Sequence, residues 1–448
     1  MTNQSLVLCV DFGSTFTKAA LVDVSTGDLI GVANHPTTIE TDVLEGFEAC
    51  RAALGSPDAP VMACSSAGGG LRIAVVGNEE LVTAEAGRRV ALSSGGKVVW
   101  VGYGGLAPDL ADLKASEPDV ILLVGGTDGG NSEVLIADAT RLGAQQWAGP
   151  IVVAGDVEAQ GEVSRLLQEA GTPYVIADNV VPRIGVLAPE SARAAIREMF
   201  LKHVIGGKHL SAHGEFVEMV RGATPDVVLT GVEMLASLAG DVVVIDVGGA
   251  TTDVHSVIEL DPETGALGRE VVAITPVTRT VEGDLGMRWS AASTVAAGIE
   301  AGLVPESLRA AGQRRHDDPA YLPDSLAEVE ADDAIAGAAV TVAVRRHCGR
   351  SRVVFGPDGR VVERSGKDLR EVDVLVGSGG VLRHATPERA KRILGGAIGD
   401  SEDGWQYPQH PRLVVDSSYV LAAVGLLAPD YPDVARRLAA MLIGADSL

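Results

Sequence analysis

The chain has 448 residues, 46% of them hydrophobic and only 4% aromatic, and a formal net charge of −24. Length alone suggests two to three domains at ~150 residues each, and cores built from Val, Leu, Ala and Ile suit layered α/β architecture. The strong negative charge disfavours a nucleic-acid partner, whose phosphates would be repelled. The short basic pairs Arg314-Arg315 and Arg345-Arg346 read as solvated surface.

Four cysteines, Cys9, Cys50, Cys64 and Cys348, are scattered without a C-x-x-C pair. This argues against a zinc site, an iron–sulfur cluster or a disulfide framework, and a reducing cytoplasm is the expected compartment. The start, Met1 to Ser5, lacks the basic flank and apolar core of a signal peptide. No run of ~18 apolar residues is free of polar interruption, so no membrane span is expected.

In chain order, Leu6 to Val10 is an apolar strand with Cys9 as a small core residue. It runs into Asp11-Phe12-Gly13-Ser14-Thr15-Phe16-Thr17-Lys18 and then a second strand, Ala19 to Val24. After the turn Ser25-Thr26-Gly27-Asp28, a third strand, Leu29 to Ala33, completes a meander. Strand-like runs then occur at Val61 to Cys64, Ile73 to Val76, Val98 to Val101, Val120 to Val124, Ile151 to Ala154 and Tyr174 to Ile176. Helical patterns fill the gaps at Glu80 to Leu92, Asn131 to Leu142 and Val157 to Ala170. Alternating strand and helix imply right-handed crossovers and a mostly parallel sheet, so 61–180 reads as an inserted, doubly wound α/β unit. The loop Val124-Gly125-Gly126-Thr127-Asp128-Gly129-Gly130-Asn131 falls at the carboxyl end of one of its strands, where such sheets place ligand loops. Two readings stand side by side: a loop that contacts an anion, a nucleotide or a partner, and a tight turn with Asn131 as a helix N-cap.

Ser191 to Val204, Gly214 to Arg221 and Thr224 to Leu238 follow a helical pattern, the last opened by Pro225 at an early position. An apolar strand, Val242 to Ile245, then meets Asp246-Val247-Gly248-Gly249-Ala250-Thr251-Thr252-Asp253, and a second apolar stretch, Val254 to Ile258, follows. Glycines here let backbone N–H groups approach a phosphate without an intervening Cβ. Thr251 and Thr252 offer hydroxyl donors, and Asp246 and Asp253 are positioned to hold a metal ion or its waters. Taken singly the stretch reads first as an ordinary hairpin turn. The same device, strand, Asp-x-Gly, small hydroxyl residues, strand, stands at 11–18, and two such hairpins carry more weight than one.

Further on, Glu282 and Asp284 flank Gly283 in a predicted loop, suited either to orienting water or a metal or to opening a helix. Helices are predicted at Ala291 to Val304 and Asp332 to Cys348, with a mobile surface loop over Gly312 to Asp324. Gly356-Pro357-Asp358-Gly359 marks a hairpin. A strand at Asp373 to Val376 ends in Gly377-Ser378-Gly379-Gly380 before a helix, an arrangement that lets a ring or phosphate lie against bare backbone. A helix opened by Thr386-Pro387, a short strand, Leu413 to Asp416, and a small-residue helix, Ser418 to Leu427, follow.

The set Asp-x-Gly-Ser-Thr at 11–15, Asp-x-Gly-Gly-x-Thr-Thr-Asp at 246–253 and Gly-x-Gly-Gly at 377–380 resembles the actin-like ATPase superfamily of sugar kinases, heat-shock chaperone ATPases and actin. The resemblance implies two ribonuclease-H-like lobes: 1–60 beginning the first, 61–180 the insert, 181–240 completing the first lobe and 241–448 the second. More closely, the chain resembles the accessory, reactivating ATPase family of glutamate (methylaspartate) mutase. That likeness is carried by Ser65-Ser66-Ala67-Gly68-Gly69-Gly70, Leu122 to Gly130, Asn179-Val180-Val181-Pro182, Asp246 to Ser256 and Thr280 to Gly286.

The resemblance implies ATP and Mg²⁺ between the lobes. Asp11 and Asp246 would hold the metal, and Gly13, Ser14, Thr15, Lys18, Gly248, Gly249, Thr251 and Thr252 would meet the phosphates. Gly377, Gly379 and Gly380 would lie against adenosine, the helix at 418–427 would be the second connecting helix near the hinge, and Glu282 or Asp253 would orient the attacking water. The implied partner is an adenosylcobalamin-dependent mutase, with 61–180 facing it. A metabolite kinase and a non-enzymatic actin-like scaffold are the rival readings. A radical activator of dehydratases is disfavoured because the cysteines form no cluster pattern.

Overall fold

The computed structural model describes residues 5–56, 58–106, 110–208, 210–211, 214–260, 275–356 and 359–444. The expectations for Met1 to Gln4 and for the Pro357-Asp358 turn tip lie outside these residues.

The first sheet is built on β1 (Leu6–Phe12), β2 (Phe16–Asp23) and β3 (Asp28–Pro36), an antiparallel meander. β4 (Val61–Ser65) adds to β1 in parallel, and β10 (Val220–Ala223) adds to β4, giving the order β10-β4-β1-β2-β3. The second sheet repeats this plan. β11 (Val242–Val247), β12 (Thr252–Val257) and β13 (Val277–Glu282) form a meander; β16 (Val374–Ser378) and β17 (Arg412–Val415) extend it in parallel, giving β13-β12-β11-β16-β17. Two sheets of identical order, each opening on a hairpin, are the two ribonuclease-H-like lobes of an actin-type fold.

Between β4 and β10 the chain makes a third, all-parallel sheet from β5 (Leu71–Gly77), β6 (Gly96–Tyr103), β7 (Val120–Leu123), β8 (Ile151–Val153) and β9 (Tyr174–Ile176), ordered β6-β5-β7-β8-β9. Alternate strand residues feed opposite faces, because strand side chains point to the two sides in turn. Ile73, Val75, Leu122 and Val152 join a core shared with Leu8, Val10 and Phe12 of the first lobe. Ala74, Val76, Ile121 and Leu123 pack under the helices Glu133–Ala144 and Gln160–Ala170. The insert is thus doubly wound and continuous with the first lobe.

Several boundaries differ from the sequence expectation. Val61–Ser65 was expected to open the insert, but it pairs with β1 in the first sheet, so the parallel sheet starts at Leu71. The predicted helix over Gly214 to Arg221 ends at Met219, where parallel pairing with β4 draws Val220–Ala223 into a strand. Within Gly312 to Asp324, expected as a loop, Gly312 to Asp317 continue the helix Arg309–Asp317. Arg315 anchors it: the side chain is fully buried and ion-paired to Asp332 and Glu328. The remaining pair, β14 (Arg350–Gly356) and β15 (Gly359–Ser365), is the expected hairpin.

Two helices cross between the lobes, Thr224–Ala239 and Val420–Leu427. They share one core with Val7 and Cys9 of the first sheet and Val242, Val244, Val374 and Val376 of the second. Their backbones nearly touch. A Cβ on Gly425 would stand 1.9 Å from the Val227 carbonyl oxygen, and one on Gly231 would stand 2.4 Å from that of Leu421. Only glycine permits this approach.

Candidate functional site in the cleft between the lobes

The two hairpins project from β1 and β11 toward one another. In the first, Gly13 N–H donates to the Phe16 carbonyl at 3.2 Å, and Thr37 Oγ1 donates to the Gly13 carbonyl at 2.8 Å. In the second, Gly248 N–H donates to the Thr251 carbonyl at 2.9 Å. Behind it the segment 283–290 forms a brace: Met287 and Arg288 N–H groups bind the Gly248 and Gly249 carbonyls, and Ser290 Oγ binds that of Ala250 at 2.6 Å. A Cβ on Gly286 would meet the Gly249 carbonyl oxygen at 2.7 Å, which accounts for glycine there. The turn tips face each other closely: a Cβ on Gly249 would lie 2.9 Å from Thr15 Oγ1, a buried hydroxyl with no hydrogen-bond partner among the described residues.

Cross-strand register puts charge at the cleft floor. Asp11 stands opposite Lys18, and Lys18 Nζ lies 3.5 Å from Asp11 Oδ2. Asp11 Oδ1 accepts from Thr224 Oγ1 at 2.6 Å, at the start of the first connecting helix. Asp246 stands opposite Asp253 on β12 and beside Ser378 on β16. Burial drives the Asp246 carboxyl up to about 6, reinforced by Asp253 and Asp11 and opposed by Lys18 and a Ser378 hydrogen bond. Burial disfavours the Lys18 ammonium, but Asp11, Asp246 and Tyr419 outweigh it and its pKa is raised.

Lys18 also sits 4.3 Å from the centre of the Tyr419 ring, and the Arg383 guanidinium is 4.7 Å from the same ring. Tyr419 adopts φ 53°, ψ 39°, a left-handed conformation rare for a bulky residue. It precedes a helix whose first amides, Val420 and Leu421, donate to buried Asp416.

The third glycine stretch packs against the second hairpin. A Cβ on Gly379, at φ +100°, would be 2.2 Å from the Val247 carbonyl oxygen, and one on Gly380 would be 3.9 Å from the Tyr419 hydroxyl. The glycines at 13, 248, 249, 379 and 380, Ser14, Thr15, Lys18 and Thr251 therefore gather around one cleft. Gly377 and Thr252 stand apart in role: a Cβ on Gly377 would run into Leu382 and Leu394, and the Thr252 side chain is fully buried.

The two candidate water-orienting carboxylates diverge. Residues paired across an antiparallel ladder point to the same face. Asp253 pairs with Asp246 and Val281, placing it on the cleft face, whereas Glu282 pairs with Thr252 and shares the opposite face with Thr280. There Arg346, from the helix Leu326–His347, donates to Glu282 Oε2 at 2.6 Å and to both Asp284 oxygens. Burial raises the Glu282 carboxyl and Arg346 opposes the rise. Asp253 Oδ1 accepts from Arg279 at 2.8 Å, and Thr251 Oγ1 donates to Oδ2 at 3.2 Å.

Among the described residues, no group of three or more His, Cys, Asp or Glu side chains is arranged to enclose a metal. Asp11 and Asp246, with oxygen donors around them, instead fit a hydrated magnesium ion, which takes one or two carboxylates and completes its shell with water and phosphate oxygens. Thr224, Arg279, Ser378 and Tyr419 join the site beyond the residues expected to form it. Two of them carry a sequence signal: Ser378 lies inside the Gly377-Ser378-Gly379-Gly380 stretch, and Thr224 precedes Pro225 at a helix start.

The duplicated sheets, crossed helices and glycine-edged, carboxylate-floored cleft define an actin-like two-lobed fold. The chain matches the family model described as MutL protein over residues 7–442. Protein MutL of Clostridium tetanomorphum is 36% identical to it over 452 residues, spanning 96% of this chain and 97% of that one. The chain belongs to the MutL protein family.

Solved structures give distant likenesses. A nucleotide-free acetone carboxylase aligns at 15% identity over 95% of this chain and 70% of its own, with a TM-score of 0.40. A ROK family glucokinase from Streptomyces griseus, in complex with glucose and AMPPNP, aligns at 12% over 94% and 97%, TM-score 0.31. Component A of the Acidaminococcus fermentans (R)-2-hydroxyglutaryl-CoA dehydratase aligns at 8% over 96% and 99%, TM-score 0.31. No helix among the described residues is long and apolar enough to cross a membrane.

Proposed function

We propose that this protein is an ATP-dependent reactivating factor for an adenosylcobalamin-dependent mutase such as glutamate mutase. The observation that carries the nucleotide reading is the meeting of the two hairpins, with Gly249 against the unpartnered Thr15 hydroxyl and the Asp11 and Asp246 carboxylates around Lys18 below them. A triphosphate entering between the turns would take the Thr15 and Thr251 hydroxyls and the backbone N–H groups of Ser14 and Gly249 as donors. Lys18 would exchange part of its contact with Asp11 for phosphate oxygen. Magnesium, when bound, neutralises phosphate charge, and Asp11 and Asp246 are the residues that would hold it, through water.

Of the two carboxylates considered for the attacking water, the cleft-facing Asp253 is the one proposed here, with Glu282 bracing the edge through Arg346. In hydrolysis the water oxygen bonds to the γ-phosphorus as the bond to the β–γ bridging oxygen breaks, giving ADP and inorganic phosphate. Asp253, held by Arg279, orients that water and takes up its proton. Because both hairpins grip the γ-phosphate, its loss releases one lobe from the other about the crossed helices. That motion would loosen a mutase carrying damaged cobalamin so that intact cofactor can replace it.

The test is direct. An inactivated mutase is incubated with the protein, ATP, Mg²⁺ and fresh adenosylcobalamin. Activity should return with ATP and not with a non-hydrolysable analogue. Absence of ATP–Mg²⁺ binding by calorimetry would remove the nucleotide reading altogether, and binding without reactivation of any candidate mutase would remove the client.

A further inference from the structure

The carboxyl edge of the inserted sheet is not consumed by the cleft. Its loops are stitched into one continuous rim: Gly104 N–H donates to the Asn78 carbonyl, Asn78 Nδ2 to that of Asn131, Gly129 N–H to buried Asp156, Asn179 Nδ2 to both Gly126 and Asp128, and Asp128 N–H to the Pro182 carbonyl. The bonds run from the end of β6 through β5, β7 and β8 to the segment after β9. Gly126 and Gly129, in this rim, adopt positive φ, and a Cβ on Gly126 would meet the Asn131 carbonyl oxygen at 2.6 Å.

Large apolar side chains rise from this rim, each within a few residues of a stitch. Leu81 is 67% exposed, Tyr103 48%, Val157 44%, Ile184 75% and Val186 38%. Isolated exposed apolar residues are ordinary, but these five all end or follow strands β5, β6, β8 and β9 at one end of a single sheet, and such a concentration of exposed apolar side chains is of the kind that marks an interaction site. The charge around them has one sign. Among the described residues, Glu79, Glu80, Asp128, Glu133, Glu158 and Asp178 are exposed in these loops and at the helix starts that follow them, against one exposed cation, Arg183.

We propose that this face is the docking surface for the client protein, and that the matching surface on the partner is an apolar patch rimmed by lysine and arginine. The identity of the partner as a mutase rests on the function proposed above; the location and its chemistry rest on the rim itself. Apolar residues at the centre supply most of the binding energy, while the carboxylates steer the approach and fix orientation. The same insert reaches the second lobe, where Arg279 Nη1 lies 3.5 Å from the Leu92 carbonyl at the end of the helix Glu85–Ser93. A partner seated on this face is therefore connected to both lobes.

The probe is glutamate mutase reconstituted with an inactive cobalamin, titrated against the full chain in ATP and in ADP, with hydrogen exchange recorded on the complex. Protection is expected in 78–82, 103–105, 125–131, 156–158 and 181–187. The variants Ile184→Asp and Leu81→Asp should each weaken binding at least tenfold with basal ATP hydrolysis unchanged, and raising salt should weaken the wild-type complex. If the mutase binds but is footprinted elsewhere, and both variants bind normally, the docking face is overturned while the reactivating function stands. If the free chain is a dimer that Ile184→Asp dissociates, the occupant is a second copy and the proposal is overturned. If the wild type binds no mutase in either nucleotide, the function proposed above falls and the docking surface with it.

Discussion

Arg279 donates to Asp253 at 2.8 Å from one guanidinium nitrogen, while another lies 3.5 Å from the carbonyl of Leu92. One guanidinium, only 2% exposed, thus touches a cleft carboxylate and the carboxyl end of a helix in the insert. Removing one partner of a buried pair leaves the other charge uncompensated, at a cost of about 3 kcal/mol or more. Arg279→Met should lower the urea unfolding midpoint accordingly and cut ATP turnover, because Asp253 loses its orientation. Adding Asp253→Asn to Arg279→Met should recover part of the stability and none of the turnover. A single variant that unfolds and turns over like the wild type would show that the pair is dispensable.

The Asp246 carboxyl gives a pH signature. Its pKa is driven from 3.8 to about 6, mainly by burial. Between these values the native state binds a proton that the unfolded chain has released, so this group's contribution to stability declines as pH rises from about 4 to 6. Asp246→Asn should therefore melt higher than the wild type at pH 7 without nucleotide, with the difference vanishing below pH 4. On the proposed function, in which the ionised Asp246 carboxylate would hold magnesium, magnesium-dependent ATP affinity should rise across the same range in the wild type. Calorimetric titrations at pH 5 and pH 7 check this.

Gly249 tests the closeness of the two turns. Its absent side chain leaves room for the Thr15 hydroxyl, which a Cβ would meet at 2.9 Å. Gly249→Ala should weaken ATP binding about tenfold, equivalent to about 1.4 kcal/mol, and change the thermal midpoint little, because the turn is partly buried and lies outside the hydrophobic cores. Equal affinity in the alanine variant would show that the turns separate freely.

The helix crossing sets the lobe geometry. The atom a Cβ on Gly425 would strike, the Val227 carbonyl oxygen at 1.9 Å, is backbone and cannot rotate away. Gly425→Ala should force the helices apart, at a cost of about 3 kcal/mol. A lowered thermal midpoint and a changed radius of gyration by solution scattering are the expected readouts. An unchanged scattering profile with ATP response intact would show that the crossing does not govern lobe angle.

Much of the fold was legible because its devices are local. An Asp-x-Gly turn between apolar runs appears twice, and strand and helix alternate through the insert with the right period. What misled was pairing. Val61–Ser65 looks like the first strand of the insert until its parallel partner, β1, is known. Val220–Ala223 continues a helical pattern that pairing with β4 overrides. Arg314 and Arg315 looked like solvated surface, yet Arg315 is an internal anchor, because Asp332 and Glu328 arrive from a separate helix.

The sequence by itself determined the two hairpins, their carboxylates and glycines, and the layered α/β class, since turn chemistry and side-chain period are properties of adjacent residues. It left Asp253 and Glu282 equivalent, two acids near two turns. Only the tertiary structure separated them, because the face a strand residue occupies is set by its register against a partner. The pairing of β12 with β13 aims Asp253 at the cleft and turns Glu282 toward Arg346. Thr224, Arg279 and Tyr419 came to the site in the same way, from stretches whose local pattern carries no mark of the carboxylates and the lysine they meet.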